Sequence, residues 1–146
     1  MSLRFQQRME PREAGQMNAL QLAYLGDAVW EMIVRFDLVF RKYNVHHMHR
    51  QAVDLVNAGA QARILHMISE RLTEEEIEIV RRGRNAHPHH AAPRNQQPDD
   101  YAAATGFEAL LGFLYLTGKD ERIRELTQRV VEETADGGAA HPDDER

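Results

Sequence analysis

From Ala19 to about Lys42 the apolar residues Leu22, Leu25, Val29, Ile33, Phe36 and Phe40 recur at spacings of three and four. That period places them on one face of an α-helix and excludes the strict alternation of a half-buried strand. Asn18 stands where an N-cap is needed, because its side-chain oxygen can accept from an otherwise orphaned backbone N–H. Gly26 falls inside this helix, where glycine costs about 1 kcal/mol relative to alanine. Close packing against its backbone is the expected compensation.

The rest of the chain reads as helix too. A helical stretch over 47–69 is expected to break near Asn57–Gly59. Thr73 followed by Glu74, Glu75 and Glu76 has the form of an N-cap with acids in the first turn, opening a short helix to about Arg82. Residues 85–100 hold three of the five prolines and no apolar period, so a loop of about sixteen residues is expected there. Tyr101–Leu116 reads as a strongly apolar helix and Asp120–Thr134 as an amphipathic one. The expectation is an all-α protein with one domain over 18–134, an N-terminal extension over 1–17, and a disordered acidic tail over 135–146.

Composition narrows the chemistry. The 146 residues include 42% apolar side chains, enough for one core, and no cysteine, which removes disulfides and thiolate metal sites. The start of the chain has no apolar segment of signal-peptide form, and no apolar run is long enough to span a bilayer. The net charge is −5, but it is unevenly spread. Without the last fifteen residues the chain has 17 basic and 17 acidic side chains. Residues 70–79 carry five glutamates, whereas residues 81–94 carry four arginines, three histidines and no acid. An acidic chain can still present phosphate with a local positive face.

Two carboxylates stand among apolar neighbours: Asp27 in Leu22-Ala-Tyr-Leu-Gly-Asp-Ala-Val-Trp30, and Glu108 in Ala104-Thr-Gly-Phe-Glu-Ala-Leu-Leu-Gly112. A carboxylate in such surroundings needs a partner or a metal. Either each accepts from a buried arginine or backbone donor, or the two helices lie side by side and both acids converge on one hard cation. Mg²⁺ suits the second case, since it uses one or two protein carboxylates and fills its shell with water and phosphate oxygens.

Leu22-Ala-Tyr-Leu-Gly-Asp-Ala-Val-Trp-Glu31 resembles the signature helix of ribonuclease III, which reads roughly E-x-L-E-F-L-G-D-A-V-L-E. Thr105-Gly-Phe-Glu-Ala-Leu-Leu-Gly-Phe-Leu-Tyr-Leu116 resembles the second acidic motif of that family, D-T-F-E-A-L-I-G-A-L-Y-L. The likeness runs from about Asn18 to Val131. With Arg81-Arg-Gly-Arg-Asn-Ala86, and with no double-stranded-RNA-binding domain expected, the chain is similar to the Mini-ribonuclease 3 subfamily.

That resemblance implies a helical homodimer in the bacterial cytoplasm, away from membranes. It implies a Mg²⁺-dependent endoribonuclease, with Mn²⁺ as a substitute, that cuts double-stranded RNA and matures the large-subunit (23S) ribosomal RNA precursor. A ribosomal protein is a further candidate partner. Asp27 and Glu108 match the family's catalytic, metal-holding acids. Ala23 and Thr105 occupy positions where ordinary ribonuclease III has two more acids. The reduced set raises an alternative: a ribonuclease III-like domain that binds structured RNA or a ribosomal partner without cutting it. Tyr24 matches an aromatic at the dimer interface, and Trp30 is assigned to the core.

The remaining polar residues are weighed on their own chemistry. Arg82, Arg84 and Arg94 are candidate phosphate contacts, with His49 and Arg50 as further RNA-binding candidates; the bland reading of all five is solvated surface. The clusters His46, His47, His49 and His87, His89, His90 lack the cysteines or spacing of a zinc site, and none is expected. Glu31 follows Asp27 by one turn and is expected to pair with Arg35 at i,i+4 rather than to reach a metal through water.

Overall fold

The structure is a computed structural model and describes residues 4, 6–86 and 97–137, with side chains to residue 133. Among the described residues seven helices follow one another: α1 (Pro11–Gly15), α2 (Ala19–Phe40), α3 (Val45–Val56), α4 (Ala58–Ile68), α5 (Glu74–Asn85), α6 (Pro98–Leu116) and α7 (Asp120–Gly137). A single 3₁₀ turn, Ser69–Arg71, joins α4 to α5. The described residues contain no strand, so the all-α expectation holds.

The caps follow from side-chain chemistry. The Asn18 side chain accepts from the Leu20 N–H at 2.8 Å and opens α2. Asn57 ends α3 and accepts from Ala60 N–H, so one asparagine makes the break between α3 and α4. Thr73 and Glu76 form a reciprocal capping box at the start of α5. Both helices that flank the proline-rich stretch are longer than the sequence suggests. Helix α5 continues to Asn85 and α6 begins at Pro98, because proline loses nothing at a first helical position and Asp99 and Asp100 favour the first turn. Helix α7 likewise runs on to Gly137. Residues 87–96 and most of the tail lie outside the described residues.

Helix α6 is the axis of the domain. Ala103–Phe107, Ala109, Leu110, Leu111, Phe113 and Leu114 are buried along it, with α2, α4 and α5 packed around them. Trp30 lies in the core, as expected: its ring meets Phe107 edge-on at 5.3 Å, and its Nε1–H donates to the Leu55 carbonyl at 2.9 Å. The buried stripe of α2 is not the one the periodicity singles out. Leu22, Ala23, Gly26, Trp30, Val34 and Leu38 face the core. Leu25, Val29 and Ile33 are half-buried, and Phe36 and Phe40 are exposed. Helix α2 therefore carries two apolar stripes. Its small residues let α6 approach on the inner side, and its larger ones line an outer groove shared with α7.

Residues 8–17, ahead of the Asn18 cap, pack against the domain. Ala14 is fully buried, the Met9 N–H donates to the Leu116 carbonyl at 2.7 Å, and the Arg8 guanidinium lies 4.5 Å from the Tyr115 ring centre.

Candidate active site

Glycine decides where the two isolated acids meet. A Cβ placed on Gly26 would lie 1.6 Å from the Glu108 carbonyl oxygen, and one on Gly112 would lie 1.9 Å from the Leu22 carbonyl oxygen. The backbones of α2 and α6 thus touch at two points one turn apart, an approach that no side chain would permit. Asp27 directly follows Gly26, and Glu108 supplies the carbonyl at the crossing. Gly83 and Gly106 repeat the device between α5 and α6, where a Cβ on Gly83 would come within 2.8 Å of the Gly106 Cα.

The electrostatics match two acids held without a counter-charge. Burial, and then the negative charge of Asp27, pushes the Glu108 carboxyl up to about 8. Asp27 is exposed, yet partial loss of hydration, and then the charge of Glu31, raises its carboxyl as well. Among the described residues no hydrogen bond or ion pair reaches either carboxylate. The alternative that each accepts from a buried arginine or backbone donor therefore has no partner here. Two adjacent carboxylates destabilised as anions fit a divalent cation, which would offset both the burial and the mutual repulsion.

The two remaining positions of the expected acidic set are closed. Ala23 is buried, and the buried Thr105 hydroxyl donates to the Tyr101 carbonyl at 3.0 Å, one turn back in α6. Among the described residues no group of three or more His, Asp or Glu side chains is placed to hold a metal. His47 is buried beside Tyr43, with ring centres 4.2 Å apart, so it belongs to the packing of α3.

The basic residues divide. Arg82 turns inward: Nη1 donates to the Gly15 carbonyl and Nη2 to the Met17 carbonyl, each at 2.6 Å. It clamps the link between α1 and α2, where carbonyls orphaned at a helix end claim the guanidinium, and this argues against its expected role as a phosphate contact. Arg84 is exposed, and its stem lies over Gly106 of the site-bearing helix. Arg84 makes no hydrogen bond or ion pair among the described residues. His49 and Arg50 lie exposed on α3. Arg94 lies outside the described residues. Tyr24 is 87% exposed, on the turn before Asp27. Glu31 and Arg35 form the expected pair at 4.0 Å.

The all-helical fold is that of a ribonuclease III-type nuclease, and the sequence model of the ribonuclease III domain matches residues 20–119. The chain is 52% identical over 114 residues to a Mini-ribonuclease 3 of Symbiobacterium thermophilum, covering 77% of this chain and 87% of that protein. It is 48% identical to a Mini-ribonuclease 3 of Desulfitobacterium hafniense, covering 77% and 71% of the two chains. A protein of Fusobacterium nucleatum of known crystal structure superposes with a TM-score of 0.74 at 32% identity, covering 81% of this chain and 94% of that one. The chain belongs to the Mini-ribonuclease 3 branch of the ribonuclease III family and is an endoribonuclease. The family is generally metal-dependent.

The outer groove was not anticipated from sequence. It encloses about 760 Å³ between α2 and α7, lined by Leu25, Val29, Met32, Phe36, Ile123 and Val131 among others. The second apolar stripe of α2 was its only sequence signal.

Proposed function

We propose that this chain hydrolyses double-stranded RNA with Mg²⁺ at the Asp27/Glu108 site, that it acts as a homodimer, and that its substrate is the precursor of the large-subunit (23S) ribosomal RNA. The carrying observation is the pair of adjacent carboxylates on α2 and α6, both raised in pKa and both without a protein cation.

Asp27 and Glu108 would hold the ion between them. When bound, Mg²⁺ activates water for in-line attack on phosphorus and stabilises the departing oxygen. The glycine crossing keeps the two acids at a fixed separation. Water adds to phosphorus, the bond to the 3′ oxygen breaks, and the products carry 5′-phosphate and 3′-hydroxyl ends. Arg84 and Arg50 offer positive charge, and His49 a ring N–H, to the backbone of an A-form duplex, which is read by shape and phosphate more than by base.

The apolar surface supports the dimer. Met32, Phe36 and Phe40 are all more than half exposed along one side of α2, and Tyr24 is exposed on another. An apolar stripe of this length on a helix is a cost in water unless a partner covers it. Pairing two such faces would bring two sites together and let the dimer cut both strands. The ribosomal RNA substrate and a ribosomal-protein partner rest on the family resemblance.

The test is incubation of purified protein with a long RNA duplex in Mg²⁺, in Mn²⁺ and in EDTA, followed by analysis of the product ends. Cleavage that requires the metal and leaves 5′-phosphates is expected. Binding without cleavage would instead favour the non-cutting reading that Ala23 and Thr105 motivate. A ribosomal RNA precursor carrying its flanking stems, compared with an unrelated duplex of equal length, tests the substrate.

A further inference from the structure

We infer that Glu31 is a positioning residue of the catalytic centre, its carboxylate accepting hydrogen bonds from the water that surrounds a cation held by Asp27 and Glu108. This rests on the metal-dependent reading of that pair and adds a third residue to it.

Placement comes first. Glu31 lies one helical turn beyond Asp27, on the same side of α2, where the helix surface opens to solvent. Its side chain is 43% exposed, so water reaches it freely. The charge of Glu31 helps to raise the Asp27 carboxyl, which places the two acids within each other's field.

Glu31 is also under-used by the protein. Its ion pair with Arg35 is 4.0 Å long, and the Arg35 side chain is itself 70% exposed. No hydrogen bond reaches the Glu31 oxygens among the described residues. A pair this long and this wet holds neither partner firmly. The carboxylate remains open as an acceptor.

Cation chemistry supplies the demand. Two protein carboxylates leave most of the shell of a hard dication to water. Those waters are polarised and need acceptors, and groups that orient the inner shell carry a large share of a site's affinity. Ala23 has no polar side-chain atom, and Thr105 is buried with its hydroxyl turned back to the Tyr101 carbonyl. Glu31 is the next acid along α2. Arg35 beyond it offsets the third negative charge, so the set need not repel itself apart.

The test is calorimetric titration of the full chain with Mn²⁺ at pH 8, without RNA. Glu31→Gln should raise the dissociation constant by about tenfold to a hundredfold while leaving the melting temperature unchanged. Arg35→Gln should leave the affinity unchanged or tighten it. Equal affinity in Glu31→Gln and the parent would overturn the inference, and so would equal losses in Glu31→Gln and Arg35→Gln, since Glu31 would then act only through its pair. Asp27→Asn is the control for the underlying reading. If Asp27→Asn binds Mn²⁺ like the parent, the metal assignment itself fails, whatever Glu31 does.

Discussion

Gly26 lies against the Glu108 carbonyl so closely that a Cβ on it would sit 1.6 Å from the oxygen. The obstacle is helix backbone, which cannot swing aside as a side-chain tip can. Gly26→Ala should therefore force α2 away from α6 and separate the acids. Overpacking a core costs about 1–3 kcal/mol, and a clash with backbone belongs at the top of that range or beyond it. Urea unfolding should show a loss of at least ~3 kcal/mol, and Gly112→Ala should behave alike. A Gly26→Ala protein of parental stability would refute the crossing.

Asp27→Asn and Glu108→Gln each keep size and remove charge. Both should fold and dimerise normally, and each should cut duplex RNA at least about a hundredfold more slowly. The Glu108→Gln defect should be relieved in part by Mn²⁺, which accepts mixed ligands more readily than Mg²⁺. Single-turnover rates and light scattering check both points. Unimpaired cleavage by either folded variant would remove that residue from the site.

Glu108 titrates near 8 in the metal-free protein, above its ordinary 4.5, because burial and Asp27 disfavour the anion. The folded state thus binds this proton more tightly than the unfolded state. The stabilisation is complete below about 4.5 and is lost as pH rises through about 8. A cation must displace the same proton. Apparent metal affinity should rise by about tenfold per pH unit from 6 toward 8 and then level off. Calorimetry in two buffers of different ionisation enthalpy should find about one proton released per ion bound at pH 7. Affinity independent of pH would contradict the assignment.

Glu76 is buried at the start of α5 and accepts from both Arg122 Nε at 2.9 Å and Arg122 Nη2 at 2.8 Å. Burial alone would raise its carboxyl, but the bonds from Arg122 and from the Thr73 N–H outweigh it and hold the group below its usual value. The stability it contributes is present above about 4.5 and lost as pH falls through the lower folded value. Glu76→Gln should cost about 3 kcal/mol at pH 7, because it leaves a half-buried guanidinium short of its charge partner. The difference from the parent should shrink in acid, as urea unfolding at several pH values would show.

Arg82 and Arg84 lie two residues apart and should fail differently. Arg82→Ala should cost about 2 kcal/mol of stability, since two carbonyls lose a charged donor, with no change in the salt dependence of duplex binding. Arg84→Ala should leave stability alone and reduce the log–log salt slope by about 0.9, taking duplex DNA as the guide. Fluorescence anisotropy over a salt series separates the two. A reversed outcome would return Arg82 to the RNA surface.

Helices α2 to α7 and both acids were legible in the sequence because they depend on local physics, whereas α1 and several helix ends were not. Asn18, Asn57 and Thr73 cap whatever helix follows them, and Asp27 and Glu108 stand out among apolar neighbours without any knowledge of the fold. Tertiary structure decided what depends on approach. The inner stripe of α2 is Leu22, Ala23, Gly26, Trp30, Val34 and Leu38, of which only Leu22 belongs to the large periodic set, and its closest point to α6 falls at Gly26 because a side chain there would meet backbone. Arg82 looked like its neighbour Arg84 until the carbonyls of Gly15 and Met17, more than sixty residues away in sequence, were seen to hold it. The meeting of Asp27 with Glu108 is of the same kind. Each residue carries its charge along the chain, but only the contact of two glycine-bearing backbones brings the pair together, and lost hydration there raises both carboxyls.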